Sequence, residues 1–258
     1  MNGSDAPRPW FSESFARGLQ VIRAFGRDAP RQRIADVAVR TGLTRAAARR
    51  YLLTLQELGL VGTEGDMFFL HPRVLDLGYS YLASIRIDEF VEPLLKGLSD
   101  AMQGWAHVAV HDRDEVLFVA GVPSRHLRHA FTSVGGRMPA YAGSLGQVLL
   151  AGLPDTELDA HVGRVDRTQF TAATLTDADA LRSRIAEVRR LGYAVNRGEY
   201  LEGIVSVAVP IRSASGEVIA AINANRYSTR QLEQAEIDSI VALLRECAAQ
   251  VERRSLMG

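Results

Sequence analysis

The chain has 258 residues and a formal net charge of zero; 47% of its residues are hydrophobic and 23% are charged. This composition is typical of a globular protein long enough to form two modest domains. The single cysteine, Cys247, excludes an internal disulfide and a cysteine-based zinc site. No apolar run reaches membrane-spanning length, and the N-terminus MNGSDAPRPW lacks a signal-peptide core, so we expect a cytoplasmic protein.

The N-terminal region predicts a flexible arm followed by a helix. Residues 1–12 are rich in Pro, Ser and Gly, which is typical of a segment without a packed core. The apolar residues of FARGLQVIRAF (15–25) then recur at helical spacing; they are Phe15, Leu19, Ile22 and Phe25. We expect a first domain from residue 13, with this helix packed through its apolar face.

Residues 34–58 predict two short helices around a tight turn. Gly42 tolerates the backbone twist of the turn, and Thr44 is a good N-cap for the second helix. The second helix has one apolar stripe at i, i+3, i+4, i+7 spacing, formed by Ala48, Tyr51, Leu52, Leu55 and Leu58. This arrangement is a helix-turn-helix.

The opposite face of the second helix is basic. Arginine suits a helix that enters the major groove, because its planar fork binds a guanine edge or a phosphate. Residues 31–50 carry six arginines and one aspartate, a local excess of five positive charges that is typical of phosphate binding. The candidate DNA-binding residues are Thr44, Arg45, Ala46, Arg49 and Arg50. The alternative is a solvated basic face on an ordinary surface helix.

A hairpin and a linker follow. The β-prone runs LVGT (60–63) and MFFL (67–70) flank the turn residues EGD (64–66), which predicts a wing beside the groove. A winged helix-turn-helix domain over residues 13–71 results. Pro72 opens a linker helix over residues 72–86. Its apolar residues Leu75, Leu77, Gly78 and Tyr81 favour a dimer contact, with packing inside the chain as the alternative.

The remaining residues, 87–258, predict a second domain of strands between helices. Helices are expected over 89–103, 144–153, 181–191 and 231–254, and strands over 107–111, 116–122, 128–134, 193–195, 204–210 and 218–224. Strands flanked by helices at both ends predict an α/β or α+β sensor-like domain.

Several motifs together resemble the IclR family of bacterial transcription regulators, over nearly the whole chain from Phe15 to Arg254. The strongest likeness is to the branch that controls aromatic-acid catabolism through the β-ketoadipate pathway. The motifs are FARGLQVIRAF (15–25), TGLTRAAARRYLLTLQELG (41–59), HPRVLDLGYSYL (71–82), SVGGRMPAYAGSLGQVLLAGL (133–153) and LGYAVNRGEYLEGIVSVAVPI (191–211). The TRAAARR run and the linker LDLGYSYL are fairly specific to that branch.

The resemblance implies an α+β protein: a winged helix-turn-helix, a linker helix and a GAF-like effector-binding domain. It also implies homodimers, often paired into tetramers, that bind a double-stranded DNA operator. The family's effector-pocket positions, carried over one by one, are Leu127, Ala130, Arg137, Met138, Ser144, Leu145, Asn196, Ile204, Ser206, Asn223 and Asn225. Ser144 and Leu145 would begin a helix whose N–H groups point into the pocket, which suits an anion.

This chain departs from the pattern of family members that sense small keto acids. Those members tend to have Asp where Asn196 stands, Cys at Ser206, and Ser at both Asn223 and Asn225. An aromatic carboxylate effector is therefore favoured, with its carboxylate at Ser144 or Arg137 and its ring hydroxyl at the amides. Asn223 and Asn225 share one strand face, and the alternative is that they satisfy buried backbone groups.

We therefore expect a ligand-responsive regulator of aromatic-acid catabolism genes with a pseudo-palindromic operator, with no cofactor and no enzymatic activity. The alternative is a small-molecule-binding module that senses a short keto acid or another metabolite and has no sequence-specific DNA role. A metal site at His107 and His111 is disfavoured, because ligands that far apart on a strand rarely converge on one ion. The Gly143–Gly146 run resembles an incomplete nucleophile elbow and does not predict a hydrolase.

Overall fold

The computed structural model describes residues 9–84, 90–122, 134–230 and 232–256. The chain divides into two compact units between Tyr81 and Leu82, a point inside the linker predicted over residues 72–86. Within the described ranges, no helix has both the length and the apolar character needed to cross a bilayer.

The first unit is a winged helix-turn-helix. Its elements in chain order are α1 (Glu13–Arg23), β1 (Arg31–Gln32), α2 (Ile34–Thr41), α3 (Arg45–Glu57), β2 (Val61–Glu64), β3 (Met67–Leu70), a 3₁₀ turn (Pro72–Leu75) and α4 (Asp76–Ser84). The hairpin β2–β3 is the predicted wing, and β1 pairs with β3 to give the order β1-β3-β2. The sequence did not indicate β1, which is only two residues long.

The core of the first unit is built on the apolar stripe of α3. Ala48, Tyr51, Leu52 and Leu55 are buried, and they pack with Val21, Phe25, Val37, Val61 and Phe68. Two residues assigned to the apolar faces are exposed instead: Phe15 at 69% and Leu58 at 56%. Phe15 lies in the first turn of α1 and Leu58 is the C-cap of α3, so both stand at helix ends beyond the packed region.

The second unit is a six-stranded sheet with helices on both faces. Its elements are α5 (Val91–Met102), β4 (Trp105–Asp112), β5 (Glu115–Val122), β6 (Arg137–Pro139), a 3₁₀ turn (Ala140–Ala142), α6 (Ser144–Ala151), α7 (Asp155–Arg164), α8 (Ala178–Leu191), β7 (Ala194–Arg197), β8 (Ile204–Arg212), β9 (Val218–Tyr227) and α9 (Gln234–Leu256). The strand order is β6-β5-β4-β9-β8-β7, with antiparallel neighbours. The α+β class is confirmed.

The alternation of side chains along each strand divides the core in two. Val108, Val207 and Ile222 point to the face covered by α5 and α9. Ala109, Ala208 and Ala221 point to the opposite face, covered by α6, α7 and α8. Small residues at the centre of that second face let α6 approach the sheet closely.

One predicted strand of this unit stays a prediction, and one helix was not predicted. The strand expected over residues 128–134 lies outside the described residues except for Val134, which is in a turn; β6 begins after it, at Arg137. Helix α7 was missed because one of its three buried residues is the polar His161, so only Leu158 and Val162 mark its buried face with apolar side chains.

Candidate functional site

The second helix of the helix-turn-helix presents an exposed basic surface. Gly42 ends α2 in the left-handed conformation, with φ of 66°. The hydroxyl of Thr44 then accepts a hydrogen bond of 3.2 Å from the backbone N–H of Ala47, which fixes the start of α3. Residues Thr44, Arg45, Ala46, Arg49 and Arg50 are all exposed on this helix. We call them the recognition surface.

The arginines of the recognition surface retain their charge for a partner. Among the described residues, no carboxylate pairs with Arg45, Arg49 or Arg50. The guanidinium carbon of Arg50 lies 5.4 Å from the centre of the Tyr51 ring, a cation–π contact that leaves the charge in place. The geometry suits contacts with base edges or phosphates.

The other arginines counted in the basic stretch are neutralised by the fold. Arg31 pairs with Glu64 in the wing. Arg33 pairs with Asp66, also in the wing, at 2.7 Å, and Arg40 pairs with Asp28 at 2.7 Å. The sequence-based excess of five charges therefore overstates the free charge, which is concentrated on α3.

The second unit contains a cavity of about 70 Å³ between the sheet and the start of α6. Its apolar walls come from the sheet, from α6 and from residues around β7. The lining residues are Trp105, His107, Phe118, Met138, Ala142, Gly143, Ser144, Leu145, Asn196, Tyr200, Leu201, Ile204, Ser206, Asn223 and Asn225. No Lys, Arg, Asp or Glu is among the described residues that line it.

Strands β8 and β9 contribute three polar side chains to the cavity: Ser206, Asn223 and Asn225. We call them the cavity floor, and they are hydrogen-bonded to one another. Asn223 Nδ2 donates to Ser206 Oγ at 3.2 Å and to Asn225 Oδ1 at 3.0 Å. Asn223 Oδ1 accepts from the backbone N–H of His107 at 3.1 Å, and Asn225 Nδ2 donates to the Trp105 carbonyl at 3.3 Å. The two amides therefore line the cavity and also hydrogen-bond backbone groups of β4. The interpretation as ligand-binding residues and the interpretation as partners of buried backbone groups are thus compatible.

The start of α6 is the N–H-rich end of the cavity. Gly143 precedes the helix and offers no side-chain cap, so the first backbone N–H groups remain available to an anion. A Cβ at Gly143 would lie 2.6 Å from the Met138 methyl carbon, so a larger residue there would require the flexible Met138 side chain to move at the cavity wall. Ser144 is buried and its hydroxyl hydrogen-bonds the Ser206 hydroxyl, which joins the helix start to the floor.

Most of the sequence-predicted pocket residues lie around this cavity. They are Met138, Ser144, Leu145, Asn196, Ile204, Ser206, Asn223 and Asn225. Leu127 and Ala130 lie outside the described residues.

Arg137 is placed elsewhere. Its guanidinium pairs with Asp112 at 2.5 Å and with Glu115 at 3.2 Å, because β6 pairs with β5 and its exposed side chain meets the carboxylates at that turn. Asp112 holds the pKa of Arg137 above its usual value. Arg137 is therefore committed to a surface ion pair and is withdrawn as a carboxylate ligand.

Sequence reasoning missed several aromatic and apolar lining residues: Trp105, Phe118, Tyr200 and Leu201. His107 was weighed only as a metal ligand. The alternation on β4 could have placed Trp105 and His107 on one face, but Tyr200 and Leu201 lie in an irregular segment with no periodic signal.

His107 and His111 do not converge. His107 lines the cavity, whereas the ring of His111 lies 6.0 Å from the ring of His161. No group of three or more His, Cys, Asp or Glu in the part of the chain that the structure describes could hold a metal ion. Burial lowers the pKa of both His111 and His161, against the attraction of Asp114.

Two family models match the chain. The C-terminal domain of the bacterial transcriptional regulator IclR matches residues 79–253, and the IclR helix-turn-helix domain matches residues 14–65. The chain belongs to the IclR family. It is a transcriptional regulator with a helix-turn-helix domain and not an enzyme, as predicted.

Named relatives agree with the aromatic-acid branch. The Pca regulon regulatory protein of Pseudomonas putida is 38% identical over 248 residues, 94% of this chain and 85% of that protein. The p-hydroxybenzoate hydroxylase transcriptional activator of Acinetobacter baylyi is 35% identical over 239 residues, 90% of this chain and 88% of that protein. An IclR homolog of Microbacterium hydrocarbonoxydans, solved with 4-hydroxybenzoate, has a TM-score of 0.84 at 26% identity and covers 95% of this chain and 100% of its own.

Proposed function

We propose that this IclR-family regulator senses a hydroxylated aromatic carboxylate and controls genes for the catabolism of such acids. The observation that carries the proposal is the cavity itself, with apolar and aromatic walls, an N–H-rich helix start at one end and an amide pair on its floor. Two of the similar proteins support the same ligand class, because one is named for the activation of p-hydroxybenzoate hydroxylase and the other was solved with 4-hydroxybenzoate.

The arrangement suggests one orientation for the ligand. The carboxylate would lie at the start of α6, at the Ser144 hydroxyl and the first backbone N–H groups. The ring would lie against Trp105 and Phe118. A para-hydroxyl would donate to Asn225 Oδ1, which accepts one hydrogen bond, from Asn223, and retains capacity for a second.

Discrimination between two benzoates tests this orientation. Isothermal calorimetry of wild type should show tighter binding of 4-hydroxybenzoate than of benzoate, because only the former satisfies Asn225 Oδ1. Asn225→Leu and Asn223→Leu should lose that preference, while benzoate still binds. Unchanged discrimination in both variants would move the hydroxyl site elsewhere, and no heat from any aromatic acid would favour a short keto acid.

On DNA, the regulator would act as a dimer or a dimer of dimers in the cytoplasm. One winged helix buries too little DNA to select a site, so two recognition surfaces should bind a pseudo-palindromic operator. The linker helix supports an oligomer, because its large apolar residues are exposed in the single chain: Leu75 at 74%, Leu77 at 59%, Tyr79 at 70% and Tyr81 at 43%. Sedimentation that shows a monomer at micromolar concentration, with and without DNA, would contradict this.

Ligand and DNA binding would be coupled. A ligand shifts the DNA-competent population only as far as it prefers one conformation, about 1–3 kcal/mol, which corresponds to roughly 5- to 150-fold in operator affinity. Linkage requires that operator DNA change the affinity for 4-hydroxybenzoate by the same factor. Measurement of both affinities tests the coupling, and a factor of one in both directions would rule it out.

A further inference from the structure

The segment from Gly198 to Gly203 contributes a cavity wall whose outer side faces solvent. Tyr200 and Leu201 line the cavity, yet Leu201 is 36% exposed. The glycines at both ends have positive φ, 73° at Gly198 and 77° at Gly203, a conformation that favours glycine. The segment therefore lies between the cavity and solvent, and we call it the cover.

A buried carboxylate anchors the cover. Glu199 is only 4% exposed. Its Oε1 accepts from Arg184 of α8 at 2.8 Å, and its Oε2 accepts from Gln147 Nε2 of α6 at 2.7 Å. A carboxylate is costly to bury unless it is paired and hydrogen-bonded, so these bonds define one position for the cover.

The backbone of Glu199 is held as firmly as its side chain. Its N–H donates to Asn196 Oδ1 at 3.2 Å, and its carbonyl accepts from Thr174 Oγ1 at 2.6 Å. The Gly198 carbonyl accepts from Thr171 Oγ1 at 2.7 Å. Thr171 and Thr174 belong to the connection between α7 and α8, so a second loop holds the cover from outside.

Aromatic packing completes the same contact. The Phe170 ring lies 4.7 Å from the Tyr200 ring and 6.4 Å from the Tyr141 ring. Phe170 is 40% exposed while Tyr141 is buried. This packing ties the ligand-facing side chain of the cover to the outer loop.

We infer that Glu199 is a positioning residue that holds the cover closed over the cavity and so sets the rates at which ligand enters and leaves. The ligand class rests on the proposed function, whereas the closure does not. Glu199 does not line the cavity, so loosening it should destabilise the closed cover equally with and without ligand. Association and dissociation rate constants should then rise by the same factor, with Kd unchanged.

The first test uses no ligand. Hydrogen–deuterium exchange of the full-length protein should show faster exchange across residues 198–203 in Glu199→Gln, about tenfold or more. Thr174→Val, which keeps the side-chain shape and removes one hydrogen bond, should show roughly three- to tenfold. Asp159→Asn is the matched control, because Asp159 pairs with Arg182 of α8 on the surface. Unchanged exchange over the cover in both test variants would overturn the inference.

The second test uses 4-hydroxybenzoate in stopped-flow measurements. Both rate constants should rise together in Glu199→Gln and Thr174→Val. Tyr200→Ala removes a lining residue and should raise the dissociation rate constant and Kd. An increase in Kd with an unchanged association rate constant in Glu199→Gln would overturn the inference. If 4-hydroxybenzoate does not bind wild type, the ligand assignment fails and the exchange result alone decides the role of Glu199.

Discussion

The recognition surface and the cavity floor use polar side chains in opposite ways. Arg45 and Arg49 are exposed, and no described carboxylate neutralises them. Ser206, Asn223 and Asn225 are buried and bonded to one another and to the strand beside them. An exposed polar side chain is hydrogen-bonded to water, so keeping it available for a partner costs little folding free energy. A buried polar side chain must have hydrogen-bond partners inside the protein even when no ligand is bound.

This difference separates two kinds of mutational effect. Loss of a recognition arginine should change DNA binding and leave stability nearly intact. Loss of a floor amide should change stability first and ligand preference second.

The largest expected effect is on the cavity floor. Asn223→Leu removes four hydrogen bonds: the one that Asn223 Oδ1 accepts from the His107 N–H, the one to Ser206 Oγ, and the two exchanged with the Asn225 amide. Each buried polar group that loses its partner costs about 1–3 kcal/mol. We expect the free energy of unfolding to fall by about 3 kcal/mol or more in urea denaturation. Tyr227→Phe, at an exposed position of the same strand, is the control and should change it little. If Asn223→Leu lost no more stability than Tyr227→Phe, the hydrogen bonds of the cavity floor would not contribute to the stability of the unliganded protein.

The next effect is on the recognition surface. Arg49→Ala should weaken binding to the operator by about 1–3 kcal/mol and relax specificity at one base position. The unfolding free energy should stay within about 0.5 kcal/mol of wild type. Arg17→Ala is a suitable control, because Arg17 lies on α1 and pairs with Glu13. Unaltered affinity and selectivity in Arg49→Ala would remove Arg49 from the recognition surface.

The two sites also differ in how far the sequence could predict them. The recognition surface lies on one helix, so residue spacing alone separates its apolar stripe from its basic face. The cavity joins Ser144, Asn196, Ser206 and Asn223, which are far apart in sequence, and only the family resemblance brought them together. Arg137 was misassigned because the pairing of β6 with β5, which turns it toward Asp112, leaves no local signal.

Acid is expected to have a smaller effect, which is on the stability of the second unit. The folded state holds the pKa of His111 and His161 below their ordinary value of 6.5, mainly through burial. The unfolded chain therefore binds protons more readily, so stability is present above about pH 6.5 and is lost as pH falls below it. Asp112, Asp114, Glu157 and Arg164 also face this pair.

The measurement is urea denaturation between pH 7.5 and pH 5.5. His161→Gln should show a shallower loss of stability than wild type, since one of the two buried imidazoles is gone. His71→Gln, an exposed position of the first unit, should retain the wild-type dependence. Identical slopes in wild type and His161→Gln would mean that the pair does not govern acid stability.

The smallest effect concerns the wing. Asp66→Asn releases Arg33 from its ion pair, so one more cation becomes available to phosphate. We expect a modest gain in affinity for DNA of arbitrary sequence and an increase of about one in the magnitude of the salt slope of that binding. Asp179→Asn, at a carboxylate paired with Arg182 in the second unit, should change neither. If Asp66→Asn left the salt slope of DNA binding unchanged, the wing would not contact the DNA phosphates.

The ion pairs of the first unit bear on how the regulator searches a genome. By holding Arg31, Arg33 and Arg40 against carboxylates, the fold would leave fewer cations to bind the phosphates of DNA of arbitrary sequence. Weak attachment to arbitrary sequence matters because competing sites outnumber operators by about 10⁶ or more. The same pairs are exposed and worth little to folding, so they can open at the correct site. The regulator would then dissociate faster from other DNA and would still be able to form these contacts at its operator.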